Sequence, residues 1–132
     1  MTDPEESHGP GRPDRAAFVL HDHRTPRPHF DLRLEEGGVL RSWAVPRGLP
    51  GPDESRLAVA VDDHDLDHLR YTDADKSIAD TGWWEEHDRN DRRMVFTLHG
   101  REFDVRYVLV HTGGTQWLLR RTRAQPEDGP PD

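Results

Sequence analysis

The stretch HFDLRLEEGGVLRSWAV (29–45) alternates apolar and polar residues on either side of Glu36-Gly37-Gly38. Phe30, Leu32 and Leu34 fall on one face; His29, Asp31, Arg33 and Glu35 fall on the other. A period of two is that of a β-strand. Glycines that accept positive φ close such a pair tightly, so 29–35 and 39–45 are expected to form a hairpin. The same period continues outward on both sides, through FVLH (18–21), RLAVAVDDH (56–64), MVFTLHG (94–100), EFDVRYVLVH (102–111) and TQWLLRRT (115–122). At least seven strands follow. In RLAVAVDDH the apolar set Leu57, Val59 and Val61 is expected to pack, leaving Ala58, Ala60, Asp62 and His64 on the functional face. Residues 66–92 lack a clean period and are expected to form loops with one helical turn. No strand–helix–strand alternation is present, so the expected fold is mainly all-β, a small antiparallel barrel or sandwich with short helical or loop insertions.

The 132 residues carry 18 Lys+Arg against 26 Asp+Glu, a formal net charge of −8. That length supports one domain. Residues 1–17 and 124–132, rich in Pro, Gly and charge, are expected to be flexible tails around a folded domain at 18–123. No run approaches the roughly 18–20 apolar residues of a membrane-spanning helix, and the first residues lack the pattern of a signal peptide. The expectation is a soluble cytoplasmic monomer with no membrane partner. Without cysteine there is no disulfide, zinc finger or thiolate nucleophile, so a metal would have to be held by His, Asp or Glu. Net acidity argues against indiscriminate nucleic-acid binding. It leaves a nucleic-acid substrate open, because residues 12–56 carry 8 Arg against 7 acids while 57–119 carry 7 basic residues against 13 acids. Of the 18 cationic residues 17 are Arg, and Lys76 is the one lysine.

The chemistry concentrates in HDHRTPRPHFDLR (21–33). Residues i, i+2 and i+4 of a strand point the same way, so His29, Asp31 and Arg33 share a face, as do His21 and His23. The Thr-Pro-Arg-Pro link is short enough to lay the second strand beside the first. Two imidazoles and the Asp31 carboxylate then make a facial ligand set for an ion of the Mn, Fe or Zn class, with Arg33 placed to meet an anionic substrate. A merely polar outer face is the bland alternative, although Asp and Arg flanking His are poor strand formers. A cupin-type site also begins His-x-His, but it expects a glutamate where Pro28 stands. The second cluster is DDHDLDH (62–68), in which His64 ends a strand and suits a general acid or a phosphate-contacting imidazole; a solvated acidic loop would carry the same residues. A glycine-rich phosphate loop and a Gly-x-Ser-x-Gly elbow are both missing, which excludes Walker-type nucleotide hydrolysis.

FVLHDHRTPRPHFDLRLEEGGVLRSWAVPRGLP followed by RLAVAVDDHDLDH resembles the 3′-phosphoesterase domain of bacterial DNA ligase D and its free-standing relatives. The similarity is strong over 18–68 and weaker through LHG (98–100), YVLV (107–110) and WLLRR (117–121). The resemblance implies a compact β-barrel and a Mn²⁺-dependent enzyme, other divalent transition metals being alternatives, that heals 3′ ends of broken DNA. It removes a terminal 3′ ribonucleoside and then the 3′-phosphate, leaving a hydroxyl for a separate ligase or polymerase. By the same resemblance the metal ligands fall on His23, His29 and Asp31. The phosphate contacts fall on Arg33, His64, Arg47 and Arg56, with His21 where the family has Gln. His68 stands where the family has Tyr, and is expected beside Arg33 and His64 among the catalytic groups. The family's Pro-Glu-Gly-x-Tyr-Gly-x-Gly stretch is absent; the corresponding region reads ADKSIADTGWWEE (74–86), with one Gly. Two rival functions follow from that departure and from the net charge: a catalytically degenerate module binding DNA ends or a repair partner, and a metal-dependent phosphoesterase of small nucleotides.

Overall fold

The computed structural model describes residues 15–122. Eight strands form the scaffold: β1 (Ala16–His23), β2 (His29–Glu36), β3 (Val39–Val45), β4 (Ser55–His64), β5 (Lys76–Asn90), β6 (Arg93–His99), β7 (Asp104–Gly113) and β8 (Gln116–Arg121), with one 3₁₀ turn at Leu66–Arg70. They close into a barrel in the order β1-β2-β3-β4-β8-β7-β6-β5, every pair antiparallel. Gly37 and Gly38 take φ of 63° and 86°, the conformation the β2–β3 turn requires. β1 begins at Ala16, two residues before the expected boundary at 18; the rest of the expected tails, at 1–14 and 124–132, lies outside the described residues.

The interior is one apolar cluster to which all eight strands contribute, among them Phe18, Leu32, Trp43, Ala58, Trp84, Phe96, Leu109 and Leu119. Truncating a fully buried leucine of this kind costs about 2–5 kcal/mol. Two expectations are corrected here. β4 faces the opposite way: Ala58 is fully buried inside, whereas Leu57 and Val61 are exposed. Its cross-strand partners explain the inversion, since Ala60 pairs with Trp43 and Ala58 with Trp117, and the two indole rings meet edge-on at 5.8 Å. Large rings on the neighbouring strands leave room only for methyl groups, and size complementarity overrides hydrophobic alternation. The second correction concerns 66–92. The helical turn is there, at Leu66–Arg70, but Lys76–Asn90 is a 15-residue strand rather than loop. Irregularities opposite Leu20/His21 and between Glu86 and Asp88 shift its register twice, and each shift breaks the period of two.

The connection from β4 to β5 positions the site. β4 lies beside β3 and β5 beside β1, so residues 65–75 must cross the outer face of β1, β2 and β3, and the 3₁₀ turn packs against β1 and β3. Outer-face residues of an ordinary barrel meet water. Beneath this crossover Val19 and His21 are fully buried and Arg33 is 2% exposed.

Candidate active site

Residues directly opposite in an antiparallel pair share a face. The pairs His23↔His29, His21↔Asp31, Val19↔Arg33 and Arg33↔Ser42 therefore gather on the outer face of β1–β3. His64 joins them through a bulge: Leu40 pairs with His64 and Ser42 with Val61, so two steps on β3 match three on β4. The bulge puts His64 on the same side as Val61, which corrects the expectation that these two residues face opposite ways.

His23, His29 and Asp31 bring one ligand atom each to within 4.8 Å of one another. His23 Nδ1 lies 3.0 Å from Asp31 Oδ2, and His29 Nε2 lies 3.3 Å from Asp31 Oδ1. His29 Nδ1 donates to the Arg27 carbonyl at 2.8 Å. In the neutral ring that bond leaves a lone pair on Nε2, facing a carboxylate oxygen. Two electron pairs so placed repel unless a proton or a cation lies between them. A backbone carbonyl fixing one ring nitrogen so that the other is free to ligate is the usual outer support of a metal-bound histidine, and the donor set fits a divalent transition ion.

Arg33 stands beside this triad, its Nη2 donating to Asp31 Oδ2 at 3.2 Å, its Nη1 to Ser42 Oγ at 3.0 Å and its Nε to His21 Nδ1 at 3.2 Å. A guanidinium has five N–H groups, so one remains on each Nη. His21 is fully buried, and its Nε2 donates to the Tyr71 carbonyl at 2.8 Å. Both ring nitrogens are thus used, which corrects the expectation that His21 touches phosphate: it holds Arg33 in place. Burial pushes its pKa down to about 4, against the pull of the Tyr71 carbonyl.

His68 brings the crossover into the site. Its ring stacks on His64 at 4.4 Å and on Tyr71 at 4.6 Å, and meets His21 edge-on at 5.2 Å. Burial, then Arg33 and Lys76, push His68 to about 4, and the same causes hold His64 below the ordinary histidine value. The three imidazoles are therefore neutral at pH 7. Lys76 reaches His68 Nε2 at 3.0 Å.

Among the described residues Arg47 and Arg56 make no hydrogen bond or ion pair with the triad or Arg33. Arg56 donates to Glu54 Oε1 at 2.9 Å and to the Arg47 carbonyl, bracing the β3–β4 connection. Ser42, Tyr71 and Lys76 are the site residues that pattern alone missed. Ser42 was available from hairpin register, because it sits directly across from Arg33. Lys76 was marked by being the lone lysine, and Tyr71 carried no signal.

Residues 21–111 match the family described as the DNA ligase D 3′-phosphoesterase domain. The multifunctional non-homologous end joining protein LigD of Mycolicibacterium smegmatis is 37% identical over an alignment covering 97% of this chain and 20% of that protein. The LigD proteins of Mycobacterium tuberculosis H37Rv and Pseudomonas aeruginosa are 34% and 32% identical over 86% and 80% of this chain, and 17% and 15% of their own lengths. The chain thus spans a fifth or less of these relatives. With more than half of its length matched, it belongs to the DNA ligase D 3′-phosphoesterase domain family.

Proposed function

We propose that this chain is a Mn²⁺-dependent phosphoesterase of DNA repair that removes a 3′-terminal ribonucleoside and a 3′-phosphate to leave a 3′-hydroxyl. The observation that carries this reading is the convergence of the His23–His29–Asp31 ligand atoms within 4.8 Å, beside an arginine with N–H groups to spare. When bound there, the ion supplies a Lewis acid that polarises a phosphate oxygen and activates water. The remaining Arg33 N–H groups hold the equatorial oxygens, where negative charge grows in the transition state. Asp31, Ser42 and His21 keep that guanidinium fixed, so little ordering is left for the moment of reaction. His64 enters the cycle neutral; a phosphate anion beside it favours its protonated form, and it then donates a proton to the leaving oxygen, the 5′-oxygen of the ribonucleoside in the diester step and the 3′-oxygen of the strand in the monoester step. His68 supports His64 by stacking and completes the catalytic set. Arg47 and Arg56 serve the nucleotides next to the end. The natural partner is a cytoplasmic ligase or polymerase that takes up the 3′-hydroxyl, and the protein acts as a monomer.

The test is hydrolysis of a labelled primer–template ending in a 3′-phosphate or in one 3′ ribonucleotide, with and without Mn²⁺. Product is expected from wild type and not from Asp31→Ala, which also abolishes Mn²⁺ binding by calorimetry. An inert wild type that binds Mn²⁺ sinks the reading. The exposed carboxylates of Asp62, Asp63, Asp65 and Asp67 around His64 favour one second reading, a phosphoesterase of small nucleotides, since they repel a long polyanion. Competition by 2′,3′-nucleotides against duplex DNA separates the two.

A further inference from the structure

Lys76, the one lysine among 18 cationic residues, is 7% exposed at the start of β5. Its backbone is pinned to Asp73, N–H to carbonyl at 3.3 Å and carbonyl to N–H at 2.9 Å, and it pairs in register with His23. The ammonium gives one N–H to His68 Nε2 and lies 5.3 Å from the centre of the Tyr71 ring. Among the described residues no carboxylate stands within ion-pair distance of it. An ammonium has three N–H groups, so the neutral His68 ring satisfies only part of it. A cation taken this far out of water is costly unless an anion completes it. The surroundings supply little: burial and the neighbouring Arg33 both disfavour its charge, against a weaker pull from Asp31 and Asp73.

We propose that Lys76 is a phosphate-binding residue of this site, a second cation that joins Arg33 on the substrate phosphate and biases the site toward the dianionic 3′-phosphomonoester over the monoanionic diester. The inference deepens the phosphoesterase reading and rests on it for the identity of the substrate. The bias follows from charge. Two neighbouring cations match a terminal phosphate carrying two charges better than a bridging one carrying a single charge. His68 is the residue that aims Lys76, because its Nε2 accepts from the ammonium while its ring is held between His64 and Tyr71.

Two measurements on the full chain test this. The first is calorimetric binding of inorganic phosphate to metal-free wild type, Lys76→Met and Lys76→Arg. A charge-assisted contact is worth about 1.5–3 kcal/mol, so Lys76→Met is expected to weaken phosphate binding by roughly 10- to 100-fold, with Lys76→Arg retaining most of it. The second is the ratio of kcat/KM on 3′-phosphate and 3′-ribonucleotide ends, which is expected to fall by about tenfold in Lys76→Met through the monoester alone. Equal losses on both ends, or unchanged phosphate binding, overturn the proposal. If Lys76→Met does not fold, as circular dichroism would reveal, Lys76→Gln takes its place. Should wild type prove inert on both DNA ends, the phosphoesterase reading fails by itself, and the phosphate titration still decides whether Lys76 binds the anion.

Discussion

At the scale of single residues, the site is a set of polar groups that have already chosen their partners. A carbonyl can only accept and a guanidinium can only donate, so Tyr71 and Arg33 together fix the His21 tautomer. Burial, helped by the neighbouring Arg33 charge, keeps His21 uncharged against the pull of that carbonyl. This has a consequence for stability. His21 and His68 titrate near 4 in the folded chain against an ordinary value of 6.5. Below pH 6.5 the unfolded chain therefore binds more protons than the folded one, and stability falls as pH drops from 6.5 toward 4. Carboxylates also lose stabilising contacts in acid, so the informative quantity is a difference. Urea midpoints of wild type and His68→Asn, measured at steps from pH 7.5 to 4, should diverge below pH 6.5, with wild type losing more, and the gap should level off near pH 4. Parallel curves would place the His68 ring in water. Much of this site was legible in sequence, because His29, Asp31 and Arg33 lie on one strand and the period of two fixes their common face. What pattern could not supply was that His21 lies fully buried behind Arg33, since burial there is imposed by a segment some 50 residues further along.

At the scale of elements, the strands that alternate cleanly were readable and those shaped by their neighbours were not. β2 and β3 carry their pattern unbroken. β4 shows a convincing alternation whose sense is reversed, because Trp43 and Trp117 claim the interior volume and leave Ala60 and Ala58 to face them. β5 hides its alternation behind two register shifts, and the first of them lies close to the tightest point of the barrel. There Gly82 pairs with Phe18, and a Cβ at position 82 would run into the backbone carbonyl oxygen of His99. A main-chain atom inside a closed sheet cannot yield without moving β6. Gly82→Ala is expected to destabilise the fold by about 1–3 kcal/mol or more, as overpacking does. Gly100→Ala makes the useful contrast, since its Cβ would meet only the Asp80 carboxylate. That side chain can swing away, at the cost of its bonds from the Thr81 and Arg101 amides. Thermal or urea midpoints should fall well below wild type for Gly82→Ala and by less for Gly100→Ala; the reverse order would contradict the closed β5–β6 edge.

At the scale of the whole molecule, closure of the barrel decides where chemistry can occur. The apolar cluster fills the interior, so a polar site has to lie on the outside, and among the described residues the crossover from β4 to β5 makes a sheltered outside available. That crossover delivers His68 and Tyr71 to the site and leads into Lys76, and the exposed carboxylates of Asp62 and Asp63 at the end of β4 and of Asp65 and Asp67 beyond it line its approach. Short-range attraction to one phosphate is thus set against repulsion of a long chain of them, on a molecule whose net charge is −8. The two effects separate with salt. A DNA end held by Arg33, Lys76, Arg47 and Arg56 neutralises at most about four phosphates, and each contributes roughly 0.7–0.9 to the slope of log K against log salt. The slope for a 3′-phosphate primer–template is therefore expected between about −2 and −4. Repulsion along the duplex adds nothing to counterion release, so trimming the duplex to about one helical turn should change affinity by less than about threefold. A slope near −6 or steeper, or a large loss on trimming, would mean that a basic track extends beyond the end. Because the described surface around His64 is acidic, the proposed function predicts that the end itself, rather than the duplex behind it, carries the binding.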